Sequence, residues 1–280
     1  MKTRILIPIG YKHYNRYVVF NRIQDHFMHL QSYIKNIRKE GKRCFTIKNV
    51  VEQFRVSCNH ARVAICRLLK AGDIISSARG LYVIVPPENQ PHGSMPAEEL
   101  VPLIMQYVGA NYYVSLLTAG LFHGATHQKP AKFQVISDKR MKHPLVFGDV
   151  AIDFIYKKSI FGLPTKDFIV GTGYLKVATP ELVMLDLLNY PNHAGGLNHI
   201  ATVYAELIEN LDRLKLIQLA NDTDTAYQLQ RIGYILDHIE VMDEKNAAMI
   251  THVLELYIKE SKPNYLSLAS EISKVSYIWL

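Results

Sequence analysis

Residues 46–86 hold two short helical patterns a few residues apart, then two strand patterns around a turn closed by glycine, an order that few folds accommodate. Thr46 is placed to cap a helix starting at Ile47, and Phe45, Ile47, Val50, Val51 and Phe54 continue a helical apolar pattern around it. Ser57 is the next cap candidate. Behind it Ala61, Ala64, Ile65 and Leu68 form a stripe at helical spacing that stops at Ala71-Gly72. The residues around Arg55 and Val56 leave room only for a tight connection, as a helix-turn-helix requires. Ile74-Ile75 and residues 81–85 then read as strands bracketing the polar, basic turn 76–80. Upstream, Phe27, Leu30, Ile34 and Ile37 recur every three or four positions, which predicts a helix over residues 24–38 ended by Gly41. Three helices followed by a basic hairpin predict a winged helix-turn-helix over residues 21–86.

The charge distribution agrees with that placement. Residues 1–86 carry 16 Lys/Arg against 4 Asp/Glu, a net +12, whereas residues 87–280 carry 16 against 21, a net −5. A basic module on a mildly acidic body is what phosphate neutralisation asks for, so double-stranded DNA is the expected partner. The three cysteines, Cys44, Cys58 and Cys66, contain no CxxC pair, so neither a disulfide framework nor a zinc finger is supported. Reduced thiols in a cytoplasmic protein are expected. No apolar run approaches the roughly 18–20 residues of a membrane span, and Ile5–Gly10 is too short for a signal-peptide core.

On the helix after Ser57, residues outside the apolar stripe fall into two rows: Asn59, Arg62 and Cys66 on one, and His60, Val63, Arg67 and Lys70 on the other. Arg bonds the guanine edge bidentately and Asn the adenine edge, so Asn59, His60, Arg62 and Arg67 are the expected base readers. Lys70 near the helix end is expected to meet phosphate. Ser57 and the free N–H groups behind it suit a phosphate oxygen, as do Thr46 and Lys48 at the start of the preceding helix. Arg79 at the hairpin tip is expected in a minor groove or along the backbone.

Residues 87–97 have linker composition, with three prolines, and end the first domain. Residues 98–217 then read as a mixed α/β domain: helices at 97–107 and 114–122, strands at 133–136, 150–156 and 168–172, and a helix started by Thr179-Pro180-Glu181. Residues 199–217 and 226–259 read as amphipathic helix, so residues 218–280 are expected to be a helical C-terminal part. The fold class expected is α+β, with residues 1–20 as an N-terminal extension.

Catalytic signals in the larger part are weak. Asp149 and Asp153 have the look of paired metal-binding acids of a nucleotidyltransferase. On a strand, however, four residues separate them by about 13 Å, whereas a two-metal site holds its ions about 3.5–4 Å apart. His123 and His127 have i, i+4 spacing but no glutamate beside the first. Gly171-Thr172-Gly173 lacks the lysine of a phosphate loop, and Ser115 and Ser159 have no nucleophile-elbow context. No enzyme activity and no cofactor or metal are expected.

Several motifs in order resemble one family. They are Gly80-Leu81-Tyr82 closing the hairpin, Tyr112-Tyr113-Val114-Ser115-Leu116-Leu117-Thr118-Ala119 with His123-Gly124, and Leu175-Lys176-Val177-Ala178-Thr179-Pro180-Glu181. Leu185-Asp186-Leu187-Leu188, Ala194-Gly195-Gly196-Leu197 and Arg231-Ile232-Gly233-Tyr234-Ile235-Leu236-Asp237 follow. Together, from Phe45 to Asp237, they resemble the AbiEi antitoxins, predicted transcriptional regulators of viral defence. The resemblance implies a type IV toxin–antitoxin system of the abortive-infection, phage-defence kind. In it the antitoxin represses its own promoter at inverted repeats and opposes a nucleotidyltransferase toxin without a stable complex. It implies no catalytic residues. A homodimer is compatible with this reading, and a ligand-sensing regulator or an enzyme centred on Asp149 and Asp153 are the alternatives.

Overall fold

The structure, a computed structural model, describes residues 30–126, 129–141, 143–239 and 244–261. The expectations for residues 1–20 and for the start of the first helix, Phe27 included, lie outside the described residues. The architecture is mixed α+β, and the chain divides into two compact units. One runs to Val108 and includes Phe147–Val150; the other holds Gly109–Val146 and Ala151 onward.

In the first unit, helix α1 (residues 30–39) leads to strand β1 (Cys44–Thr46) and helix α2 (Ile47–Phe54). Thr46 caps α2 reciprocally: its hydroxyl accepts from the Asn49 N–H at 3.3 Å, while Asn49 Oδ1 accepts from the Thr46 N–H at 2.7 Å. Arg55, left-handed at φ +50°, turns the chain into α3 (Cys58–Ala71). Ser57 caps α3, and Gly72 at φ +77° ends it, a conformation that costs a glycine little. Strands β2 (Ile74–Ala78) and β3 (Leu81–Ile84) form an antiparallel hairpin, and β1 pairs with β3 to give the order β1-β3-β2.

Leu30, Ile34 and Ile37 of α1 pack with Phe45, Val50, Ala61, Ala64, Ile65, Leu68, Ile74 and Ile84 in one buried cluster. Burial of that apolar area, at about 25 cal/mol per Å², holds the short helices in place, since each alone is below the length at which isolated helices persist. A short 3₁₀ helix (Pro87–His92) and helix α4 (Ala97–Val108) complete this unit. Residues 97–108, expected beyond the linker, thus group with the basic module.

Two local expectations change. Phe45 belongs to β1 and not to a helix, its buried ring tilted against Tyr82 of β3 at 5.6 Å and edge-on to Tyr33 of α1. The hairpin is also tighter than residues 76–80 suggested. β2 runs through a bulge to Ala78, leaving only Arg79 and Gly80 at the tip.

The second unit contains strands β4 (Tyr112–Val114), β5 (Phe133–Ser137), β7 (Val150–Tyr156), β8 (Thr165–Val170) and β9 (Gly173–Ala178). With β6 (Leu145–Phe147) they form a mixed sheet in the order β6-β7-β5-β4-β9-β8. Gly171 and Thr172 are the turn of the β8–β9 hairpin, paired from Val170↔Gly173 outward. Helices α5 (Leu116–Phe122) and α6 (Pro180–Asn189) pack against each other and the sheet. Leu182–Leu188 are all buried, so α6 is a core helix.

The expected long helices are broken. Residues 199–217 divide into α7 (Leu197–Leu207) and α8 (Arg213–Asp222), because Asp212 caps a new start by accepting from the Leu214 and Lys215 N–H groups. Residues 226–259 divide into α9 (Tyr227–Asp237) and α10 (Glu244–Ser261).

Candidate nucleic-acid interface

α3 buries Ala61, Ala64, Ile65 and Leu68 and turns its other residues outward. Asn59, His60, Arg62, Val63, Cys66 and Lys70 are exposed, and Arg67 is half-buried and engaged by a neighbour. The helix contains no Asp or Glu, and the only acid on α2 is Glu52. Ser57 and His60 hold each other, Oγ to Nδ1 at 3.1 Å, while the Ser57 hydroxyl also accepts from the His60 N–H. Arg62 Nη1 donates to Asn59 Oδ1 at 3.5 Å. Of the residues expected to read bases, Asn59 and Arg62 thus touch each other, and His60 is held by the Ser57 cap.

The supporting residues fall around it. Lys48 is exposed on the first turn of α2. The half-buried Thr46 hydroxyl donates to Asn49 Oδ1 at 2.8 Å and so is committed to the helix cap. Arg79 is exposed at the hairpin tip, and its carbonyl accepts from the Tyr107 hydroxyl of α4 at 3.0 Å. This anchor fixes the backbone of a two-residue tip while leaving the guanidinium outside. Tyr82 on β3 lies within the field of Arg62: burial pushes its phenol up, and the Arg62 charge partly offsets this. Sequence reasoning missed the Tyr107 anchor because its residue pair is separated by a helix, a linker and a strand.

The other candidates are dispersed. Asp149 pairs with His92 at 3.3 Å, both well exposed, whereas Asp153 pairs with His193 at 3.2 Å. The two acids thus have different partners. His123 sits just past the end of α5, its Nε2 at 2.6 Å from the Ala178 carbonyl, and His127 lies outside the described residues. Among the described residues no three His, Cys, Asp or Glu side chains group as a metal site, and no helix is long and apolar enough to cross a membrane.

A polar cluster that sequence spacing did not reveal lies inside the second unit. Asp186 of α6, fully buried, accepts from the Tyr113 hydroxyl and Ser115 Oγ, both at 2.9 Å, and from Lys157 Nζ at 2.8 Å. Burial first, and the adjacent Asp186 charge second, push the Tyr113 phenol far up. Tyr113, Ser115 and Asp186 each stand in a motif quoted above, but nothing in the sequence adds Lys157 to them. The cluster ties β4, the end of β7 and α6 together, and every polar atom named has a partner.

Residues 113–238 match the family described as AbiEi antitoxin C-terminal domain. The crystal structure of RV2827C protein from Mycobacterium tuberculosis is similar in fold, with a TM-score of 0.54 over 79% of each chain at 14% identity. No curated protein matches the sequence.

Proposed function

We propose, from the match of residues 113–238 to the AbiEi antitoxin C-terminal domain, that the chain is a DNA-binding autorepressor and antitoxin of a type IV toxin–antitoxin system. In this reading residues 21–86 are a winged helix-turn-helix, with α3 as the helix that enters the major groove and the β2–β3 hairpin as the wing. The single observation that carries it is the acid-free outward face of α3, with Asn59, His60, Arg62, Arg67 and Lys70 on one capped helix. Lys48 and the first turn of α3 behind Ser57 meet phosphates, and Arg79 follows the backbone or minor groove beside the wing.

The antitoxin role of the larger part opposes a nucleotidyltransferase toxin without a stable complex, as the family resemblance implies. Its buried Asp186 cluster, enclosed by its donors, supports an architectural role. Inverted repeats are the expected operator, occupied by two copies of the chain in the cytoplasm.

Footprinting on the protein's own upstream region, with a promoter–reporter fusion in cells, tests the proposal. Protection at an inverted repeat and repression lost in Arg62→Ala are expected. No protected site, with reporter output unchanged by the protein, would refute it.

A further inference from the structure

The exposed face of α3 has an apolar centre. Taking 100° per residue, Asn59, Val63, Cys66 and Lys70 lie within about 30° of the direction opposite the buried stripe, and Arg62 and Arg67 flank them at about 70° on either side. Val63 is 46% exposed in the middle of that face. An isolated exposed apolar residue is ordinary on a protein surface. Val63 is set apart by where it stands. A β-branched side chain loses rotamer freedom in a helix, contributes nothing to the core from this position, and is surrounded by Asn59, Arg62, Cys66 and Arg67. Neither helix formation nor packing accounts for it.

We propose, on the reading that α3 lies in the major groove, that Val63 contacts the C5-methyl group of a thymine and makes that base pair a specificity determinant. The major groove offers one apolar feature, the thymine methyl, and an aliphatic side chain between polar readers is the group that recognises it. Asn59 and Val63 are four residues apart, about 6 Å along the helix axis, or about two base-pair steps. The thymine therefore lies within about two base pairs of the base that Asn59 contacts. Flanking arginines reach guanine edges or phosphates on the two sides, which centres Val63 over the groove floor.

The test uses the full chain and duplexes spanning the site footprinted upstream of its own gene, with each thymine replaced in turn by uracil, which removes only the methyl. Loss of one methyl contact corresponds to about a four-fold loss of affinity. One thymine per half-site is expected to show it with the wild type. Val63→Ala is expected to bind the thymine and uracil duplexes alike, with an unfolding midpoint that is not lowered, since the side chain is exposed and alanine is the better helix former. Val63→Thr, which keeps one methyl, is expected to retain part of the discrimination. Tight promoter binding with no uracil-sensitive position overturns the inference and leaves the DNA-binding reading intact, as does uracil sensitivity that persists in Val63→Ala. Absence of promoter binding in the wild type overturns both.

Discussion

Replacing Asp186 by alanine leaves three donors facing a space they were built around: the Lys157 ammonium and the hydroxyls of Tyr113 and Ser115. Breaking a buried ion pair from one side costs about 3–5 kcal/mol because the remaining charge is uncompensated. Each buried hydroxyl left unpaired adds about 1–3 kcal/mol. The Lys157 side chain is 21% exposed while Asp186 is wholly enclosed, so the lysine recovers some hydration once its partner is gone. Asp186→Ala is therefore expected to destabilise the second unit by about 5 kcal/mol, the low end of these costs taken together and a large part of the 5–15 kcal/mol typical of a domain. Lys157→Met leaves the carboxylate with two hydroxyl donors and is also costly, but Asp186→Leu with Lys157→Met removes both charges. That double variant is expected to cost much less than the sum of the single changes. Urea unfolding followed by circular dichroism, with hydrogen exchange read on peptides from β4 and α6, measures each arm. Single costs below about 1 kcal/mol, or strictly additive costs, would refute the reasoning that the pair is mutually dependent.

Three further outcomes follow from particular residues. Gly148 has φ +53°, and a Cβ there overlaps the His92 carbonyl oxygen, whereas Gly124 at φ +74° faces open space. Gly148→Ala should lower the thermal midpoint well beyond the shift from Gly124→Ala, which carries backbone strain alone. Ser57→Ala should cost about 1 kcal/mol by removing the α3 cap, seen as a lower urea midpoint, and should also weaken promoter binding. Burial raises the Tyr112 phenol from 10.0 to about 12. Because the folded state holds this proton more tightly than the unfolded chain, the associated stability is complete below pH 10 and is lost as pH rises toward 12. Urea midpoints should fall between about pH 10 and pH 12, and Tyr112→Phe should flatten that fall; an unchanged slope in the variant would contradict the assignment.

The first unit was legible because its signals are local. Thr46 and Ser57 are caps with partners three residues on, the α3 stripe has a single period, and Gly72 ends it. β1 escaped notice since three residues carry too little alternation, and Phe45 fits a helical spacing as well as a strand. In the larger unit, β8 read only as the fragment 168–172 because it is an edge strand with most residues exposed and so loses its alternation. The break before α8 rests on Asp212, whose side chain could equally have been solvated in a continuous helix. The Asp186 cluster joins residues 113, 115, 157 and 186, and no periodicity spans such separations. The α3 face was legible as a set of residues, while the pairing of Ser57 with His60 and the anchor from Tyr107 to Arg79 required coordinates.

Whether α3 reads DNA is measured by fluorescence anisotropy of a labelled duplex from the protein's own upstream region, titrated from about 50 to 200 mM salt, the range where phosphate contacts dominate. Log K is expected to fall linearly with log salt, and Lys70→Ala to reduce the slope by about one. Arg62→Ala and Arg67→Ala should each cost about 1–3 kcal/mol on this duplex and much less on a scrambled one. Affinity for the natural duplex that equals affinity for the scrambled one, and that neither arginine substitution changes, would contradict the assignment of α3 as the reader of DNA.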